Sequence, residues 1–206
     1  MSEKQTQKGF TIIELMIATS VFAVVLVIAA GGILAIGRTY YKTITSSRTQ
    51  EASRSVISTI SSTIQFTAQS MGNDGVTDTP GVPQSICYGY DRYTYVINSQ
   101  VGDGAIGLMY DRRPSLSNCL PIAAGGTELL PENTRLLHLE VSSINSSTFR
   151  INVKIAYGDD DLFDPNLSTA GLNLNQVQAA TCLPGIAGSS FCSISELETT
   201  INKRVE

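Results

Sequence analysis

The strongest pattern in the chain is one long apolar block near the N-terminus. From Leu15 to Gly37 there are 23 uncharged residues, and only Thr19 and Ser20 among them are polar. A helix needs about 20 apolar residues to cross a bilayer, whereas the apolar core of a secretory signal peptide has only about 7–15. The block therefore predicts a membrane-spanning helix that stays attached to the mature chain.

A second, amphipathic stretch continues the helix beyond the apolar block. The segment from Arg38 to Ser70 is rich in Ser and Thr and contains neither Pro nor Gly. Apolar side chains recur in it at helical spacing, at Val56, Ile57, Ile60 and Ile64. We therefore predict a helix over residues 38–70 that lies against a globular head, ended by a turn at residues 71–75.

Alternating apolar and polar residues then predict a sheet. In residues 148–157 the apolar positions have the period-2 spacing of a half-buried strand, at Phe149, Ile151, Val153 and Ile155. Further strands are predicted at residues 86–90, 93–98, 107–111 and 134–141, with a hairpin loop over 142–147. The predicted fold class is α+β, with a long N-terminal α-helix packed on an antiparallel β-sheet head that spans residues 71–157.

The C-terminal region, residues 158–206, is predicted to be mostly loop. Ser193 and Glu196 have the spacing of a helix capping box. An apolar stripe at helical spacing overlaps them and consists of Ile194, Leu197, Ile201 and Val205. We therefore predict that the chain ends in a short amphipathic helix.

Four cysteines, all beyond the apolar block, predict an oxidising compartment. None forms a C-x-x-C pair, so a zinc ribbon or a thioredoxin-type site has little support. An even number of cysteines in an exported domain indicates two disulfides. Three pairings are open. The local one is favoured, in which Cys182–Cys192 closes a short loop and Cys87–Cys119 pins the start of the sheet region.

Composition narrows the function classes. A net charge of −4 and a pI near 5.0 argue against a dedicated nucleic-acid binder, because such proteins usually have a basic surface. With one His and no Trp, chemistry that needs several imidazoles is excluded, and His138 is interpreted as a strand residue rather than a base. No cofactor is predicted. Calcium is an alternative to a solvated turn at one acidic, oxygen-rich cluster, formed by Asp159, Asp160, Asp161 and Asp164.

One carboxylate, Glu14, stands at the edge of the apolar block. A charged side chain at the centre of a spanning helix costs roughly 2.5–3.5 kcal/mol on the insertion scale, and a plain anchor gains nothing from it. The simplest alternative is a carboxylate that satisfies the positive N-terminal end of the helix. Otherwise Glu14 is a functional site that needs a partner.

The residues from Lys8 to Leu15 read Lys-Gly-Phe-Thr-Ile-Ile-Glu-Leu and resemble the processing signature of type IV prepilins and type II secretion pseudopilins. That signature is a basic leader, Gly, an aromatic residue, three mostly apolar or small residues, Glu and a long apolar stretch. The resemblance implies that residues 1–9 are a leader peptide, that prepilin peptidase cuts between Gly9 and Phe10, and that the new amine of Phe10 is methylated. The rest of the chain carries far less of the family pattern.

The same resemblance assigns roles within the helix. Residues 10–37 would form the transmembrane segment and later the filament core, where Glu14 of one subunit pairs with the Phe10 amine of another. In a low dielectric such a pair attracts strongly, but desolvation offsets much of the gain, so it sets register more than it adds stability. Gly31 and Gly32 stand where helices of related filaments often melt, and a helix break is expected there.

The function implied by the resemblance is structural and non-enzymatic. The chain would be a subunit of a type IV pilus or of a related secretion or competence filament, and its length, four cysteines and long tail favour a minor subunit. The implied partners are other pilins, prepilin peptidase and, indirectly, the assembly platform with its ATPase. The alternatives are a filament-tip adhesin or DNA-binding subunit, and a membrane-anchored extracytoplasmic enzyme.

Orientation in the membrane also comes from the resemblance, which implies a leader in the cytoplasm and a head outside it. Lys4 and Lys8 flank one end of the apolar block, but Arg38, Lys42 and Arg48 follow the other end. Because cations stand at both ends, the positive-inside rule does not decide the orientation.

Overall fold

A computed structural model describes residues 9–67, 79–102, 104–116 and 119–204. The chain divides into two compact units, Met1–Tyr40 and Tyr41–Glu206. The second unit contains the sheets and is called the head from here on. Three predicted features lie outside the described residues. They are the leader from residue 1 to Lys8, the end of the helix at residues 68–70 and the turn at residues 71–75.

The first element is the helix α1, Ile12–Phe66. It corresponds to the two predicted helical stretches and confirms that they form one element. Helix α1 is continuous through Gly31 and Gly32, so the expected break is absent from the isolated chain. Each Gly costs only about 1 kcal/mol relative to Ala, and the neighbouring Ala, Ile and Leu residues keep this stretch helical. Melting inside a filament stays a prediction.

The part of α1 in the second unit buries one face. The buried residues change from small and polar to large and apolar along the helix, in the order Thr45, Thr49, Ala52, Ser53, Val56, Ile60 and Ile64. The hydroxyl of Thr49 donates to the carbonyl of Thr45 at 2.8 Å, and that of Ser53 donates to the carbonyl of Thr49 at 3.0 Å. Because these hydroxyls are satisfied within the helix, they can be buried without the cost of unpaired polar groups.

The first sheet of the second unit is antiparallel, with strands in the order β1–β2–β3–β4. The strands are β1 Pro83–Tyr88, β2 Asp91–Val96, β3 Leu108–Arg112 and β4 Thr127–Glu128. The first two lie two to three residues earlier than predicted because Gly89, with a φ of 57°, starts the turn between them. A disulfide joins Cys87 to Cys119, with a Cα–Cα distance of 5.9 Å.

The second sheet has three antiparallel strands in the order β5–β6–β9. They are β5 Thr134–Ser143, β6 Thr148–Tyr157 and β9 Ser193–Asn202. The predicted hairpin between β5 and β6 is therefore confirmed. The prediction of a terminal helix is wrong, because residues 193–202 form β9, whose register with β6 runs unbroken from Tyr157↔Ser193 to Thr148↔Asn202. Val205, the last residue of the predicted stripe, lies outside the described residues.

The connection from β6 to β9 is more ordered than the predicted loop. It contains a 3-10 turn at Asp160–Leu162, β7 Phe163–Asp164, helix α2 Leu174–Gln178, β8 Thr181–Cys182 and a second 3-10 turn at Ser189–Phe191. Strands β7 and β8 pair with each other. The second disulfide joins Cys182 to Cys192, with a Cα–Cα distance of 5.8 Å. Both disulfides follow the favoured local pairing.

Buried tyrosines make the head sensitive to alkaline pH. The hydroxyls of Tyr93 and Thr63 are 2.6 Å apart, and the Tyr93 ring packs against those of Tyr88 and Tyr110. Burial is the main cause that raises the pKa of Tyr93 to about 12 from its ordinary 10.0. Burial also raises the pKa of Tyr88, helped by repulsion from Tyr93.

We expect the head to lose stability as the pH rises from about 10 to about 12. The folded-state pKa lies above the unfolded one, so the stabilisation is complete below the unfolded pKa and is lost as the pH rises through the folded pKa. For Tyr93 the two-unit difference corresponds to about 2.7 kcal/mol. Tyrosinate absorbance and circular dichroism should therefore show the buried tyrosines, Tyr88 and Tyr93, ionising together with unfolding. A single titration of all tyrosines with unchanged secondary structure would contradict this.

Candidate functional site

The candidate site is the N-terminal end of α1. Gly9 and Phe10 precede the helix in irregular structure, and both are exposed. The Phe10 side chain is almost fully accessible, and among the described residues other than Gly9 and its chain neighbours no heavy atom lies within 4 Å of the position that a Cβ on Gly9 would take. The peptide bond between Gly9 and Phe10 is therefore sterically open to an enzyme.

Thr11 and Glu14 form a reciprocal hydrogen-bonded pair at the start of α1. The Glu14 Oε2 atom accepts from the Thr11 backbone N–H at 2.9 Å and from the Thr11 hydroxyl at 2.8 Å. In return the Glu14 backbone N–H donates to Thr11 Oγ1 at 3.3 Å. This is the arrangement of a capping box, which satisfies backbone donors that a helix N-terminus leaves free.

The capping box leaves part of the Glu14 carboxylate available. All the hydrogen bonds found for this side chain within the described residues go to Oε2, so Oε1 can accept a further donor. A cation that approached Oε1 would meet a carboxylate already oriented by Thr11. The geometry therefore permits Glu14 to cap its own helix and to bind a positive group of another molecule at once.

Beyond the capping box, the part of α1 from Leu15 to Gly37 presents a surface that is apolar except at Thr19 and Ser20. Its most apolar 18-residue window has a mean hydropathy of 2.6, and none of that window is buried in the protein. The hydroxyl of Thr19 donates to the carbonyl of Leu15 at 3.0 Å, and that of Ser20 donates to the carbonyl of Ile17 at 2.8 Å. Because its polar side chains are bonded internally, this segment can enter a bilayer or a packed bundle of helices without unpaired groups.

The acidic cluster is not assembled as a metal site. Within the described ranges of the chain, no group of three or more His, Cys, Asp or Glu side chains could hold a metal ion. Asp160 instead makes an ion pair with Arg135, while Asp159, Asp161 and Asp164 are exposed. The calcium alternative therefore has no structural support from these residues.

His138 lies on a strand, as predicted, and takes part in a structural network. Its Nδ1 atom is 2.6 Å from Nε2 of Gln178, and its Nε2 atom is 3.6 Å from a carboxylate oxygen of Glu140. All four cysteines are in disulfides. Gln178, Glu140 and the four disulfide-bonded cysteines therefore give His138 no nucleophile to activate.

Sequence reasoning found Glu14 but missed its partner within the chain. Thr11 and Glu14 have the T-x-x-E spacing of a capping box, so the signal was present in the sequence.

Residues 4–30 match the model of a protein family described as the prokaryotic N-terminal methylation motif, which is the type IV pilin and pseudopilin signature. The matched range contains Gly9, Phe10, the Thr11–Glu14 capping box and the first part of the apolar block. No curated protein and no solved structure matches the chain.

Proposed function

From the premise that this chain carries the type IV pilin and pseudopilin signature, we propose that it is a structural, non-catalytic subunit of a type IV pilus or related filament. Prepilin peptidase removes residues 1–9 and methylates Phe10. The head remains outside the cytoplasm while α1 is held in the membrane, and the processed subunit then enters the filament through α1.

The observation that carries this proposal is an oriented carboxylate between a cleavable bond and an exposed apolar helix. Cleavage after Gly9 creates a cationic amine on Phe10, four residues from Glu14. In a bundle of parallel, staggered helices, that amine can reach Glu14 Oε1 of another subunit while Oε2 stays on Thr11. The pair then fixes the axial register of the subunits, because an unpaired charge in low dielectric is costly.

The head favours a minor subunit over an abundant one. Two disulfides stabilise it, and the described residues after β6, 158–204, form an added region that contains α2 and β9. Such elaboration suits a subunit present in few copies, at the tip or at the start of assembly. Its partners are other pilins or pseudopilins, prepilin peptidase and the assembly platform.

The mature N-terminus provides the direct test. In cells that have prepilin peptidase, we expect mass spectrometry to find a chain that begins at N-methylated Phe10. In cells that lack the enzyme, the chain should keep residues 1–9. A matched variant, Gly9→Ala, adds a methyl group at the cleavage site without changing charge and should accumulate uncut. A chain that keeps its first nine residues in both strains would refute the proposal.

A further inference from the structure

The loop between Cys182 and Cys192 presents apolar side chains beside Tyr41 of α1. The rings of Tyr41 and Phe191 are 5.4 Å apart, centroid to centroid, and are tilted by 47°. The hydroxyl of Thr45 donates to the backbone carbonyl of Ser190 at 3.3 Å, on the next turn of the helix. Phe191 remains 45% exposed despite this contact, and Ile186 in the same loop is also exposed.

This loop is held in place by bonds on both sides. The disulfide closes its ends, and the Leu183 backbone N–H donates to the carbonyl of Leu162 at 2.8 Å. Gly188 has a φ of 87° and packs close to Leu162. The exposure of Ile186 and Phe191 is therefore a property of the folded loop, since the loop is anchored to the head beneath it.

The loop between Cys182 and Cys192 carries no charge of its own. Residues 183–191, Leu-Pro-Gly-Ile-Ala-Gly-Ser-Ser-Phe, contain no charged side chain. Exposed apolar residues without charges between them cost little to transfer into a partly dehydrated layer. Cations stand nearby in the sequence of α1, at Arg38 and Lys42.

The position of Tyr41 along the chain places the loop near a membrane surface. The apolar block from Leu15 to Gly37 is about 34 Å long as a helix, and the hydrocarbon core of a bilayer is about 30 Å thick. The block therefore ends at the far boundary of that core. Tyr41 follows Gly37 by four residues, which reach about 6 Å as a helix and at most about 14 Å if fully extended. Either distance leaves Tyr41 at the level of the lipid headgroups or just above it.

We propose that Ile186 and Phe191 contact the headgroup layer of the membrane that α1 spans. Aromatic side chains are favoured at the membrane–water interface, and Phe191 together with Tyr41 forms a small aromatic belt at that level. The contact operates in the membrane-held precursor and must break when the subunit leaves for a filament. It rests on the proposed function only through the placement of α1 in a bilayer.

The chain contains no Trp, so single-Trp variants can report on each position. The full-length precursor is reconstituted at low density in vesicles of phosphatidylcholine and phosphatidylglycerol, with bromine atoms on the upper part of the acyl chains as quenchers. Phe191→Trp and Ile186→Trp are two independent reporters of the loop. Tyr90→Trp is the matched control, because Tyr90 is also 45% exposed and lies at the β1–β2 turn. Phe22→Trp reports the spanning segment.

We expect F191W and I186W to be blue-shifted and quenched by the brominated lipids, less than F22W but clearly more than Y90W. Each variant must retain both disulfides and the circular dichroism of the parent chain. If only one of the two loop variants retains them, the result of that variant alone tests the lipid contact. If F22W is quenched and both loop variants behave like Y90W, the lipid contact is wrong while the membrane placement stands. If F22W also escapes quenching, the placement of α1 is wrong and the lipid contact fails with it. If the Trp fluorescence of the loop variants is blue-shifted in isolated filaments but not in the vesicles, Ile186 and Phe191 contact a neighbouring subunit. That result would overturn the proposal.

Discussion

We expect the Glu14→Gln variant to be cut after Gly9 and methylated but to be lost from filaments. Gln can replace Glu in a capping box, so the start of α1 should remain intact. The variant lacks only the negative charge, and a neighbouring Phe10 amine would then be buried without a counter-ion. Leaving one partner of a buried ion pair alone costs about 3–5 kcal/mol, and each 1.4 kcal/mol is a factor of about ten in an equilibrium. Incorporation should therefore fall by a factor of at least about 100.

Thr11→Ala is the complementary variant, because it keeps the charge and removes the hydroxyl bonds to Glu14. The loss of a capping side chain costs about 1 kcal/mol, so incorporation of this variant should fall only by a factor of about five. The two variants separate the two roles of the Glu14 carboxylate. If capping were its whole role, Thr11→Ala would be the more damaging change and Glu14→Gln would assemble normally.

The measurement compares filament-associated and membrane-associated protein for each variant after the filaments have been sheared from the cells. Mass spectrometry of the membrane fraction shows whether cleavage and methylation have occurred. A processed Glu14→Gln subunit that enters filaments at the parental level would rule out the pairing with Phe10.

The periodic spacing of apolar residues predicted the elements whose burial follows directly from that spacing, namely α1 and β6. Strand β6 was predicted to the residue, because its alternation matches a strand with one buried face. The apolar block and the amphipathic stretch gave α1 its extent within a few residues at each end. Helix α1 begins at Ile12 and not at the predicted residue 10, because Thr11 caps the helix from outside it.

Strand β9 shows where local patterns fail. Its apolar residues happen to fit a helical stripe, and Ser193 with Glu196 imitates a capping box. Ten residues of β6 offer a free edge to this segment, and that non-local pairing outweighs the helical spacing, with the β-branched residues Ile194, Thr199, Thr200 and Ile201 favouring a strand. The same motif was real at Thr11–Glu14 and at Asn173–Gln176. Spacing alone therefore could not distinguish true capping boxes from a false one.

The ion pair of Asp160 could not be predicted from the sequence for the same reason, because its partner comes from a distant part of the chain. Arg135 on β5 is buried, with only 2% of its side chain exposed, and it forms an ion pair with Asp160. Its guanidinium also donates to the carbonyl of Gly158 and lies 5.6 Å from the ring of Phe163. The cluster therefore includes a counter-ion for a buried cation, and no local pattern signals that arrangement.

The second large effect follows from this ion pair. We expect Asp160→Asn to destabilise the head by about 3 kcal/mol, the lower end of the range for one buried partner left alone, because the Asp160 side chain is 37% exposed and water can replace part of the lost interaction. For a protein of this size the melting temperature should fall by roughly 6–12 °C. The measurement is thermal unfolding of the full-length protein in detergent, with both disulfides intact.

Two further variants show whether the unpaired charge is the cause. Asp161→Asn removes the same charge from the neighbouring exposed carboxylate and should change the melting temperature little, since exposed charges contribute weakly. Replacing the whole pair, with Arg135→Met and Asp160→Asn together, should recover most of the loss, because a buried ion pair exchanged for an apolar side chain is often close to neutral. If the double variant melts as low as Asp160→Asn alone, the Arg135 side chain stabilises the head through its contacts with Gly158 and Phe163 rather than through its charge.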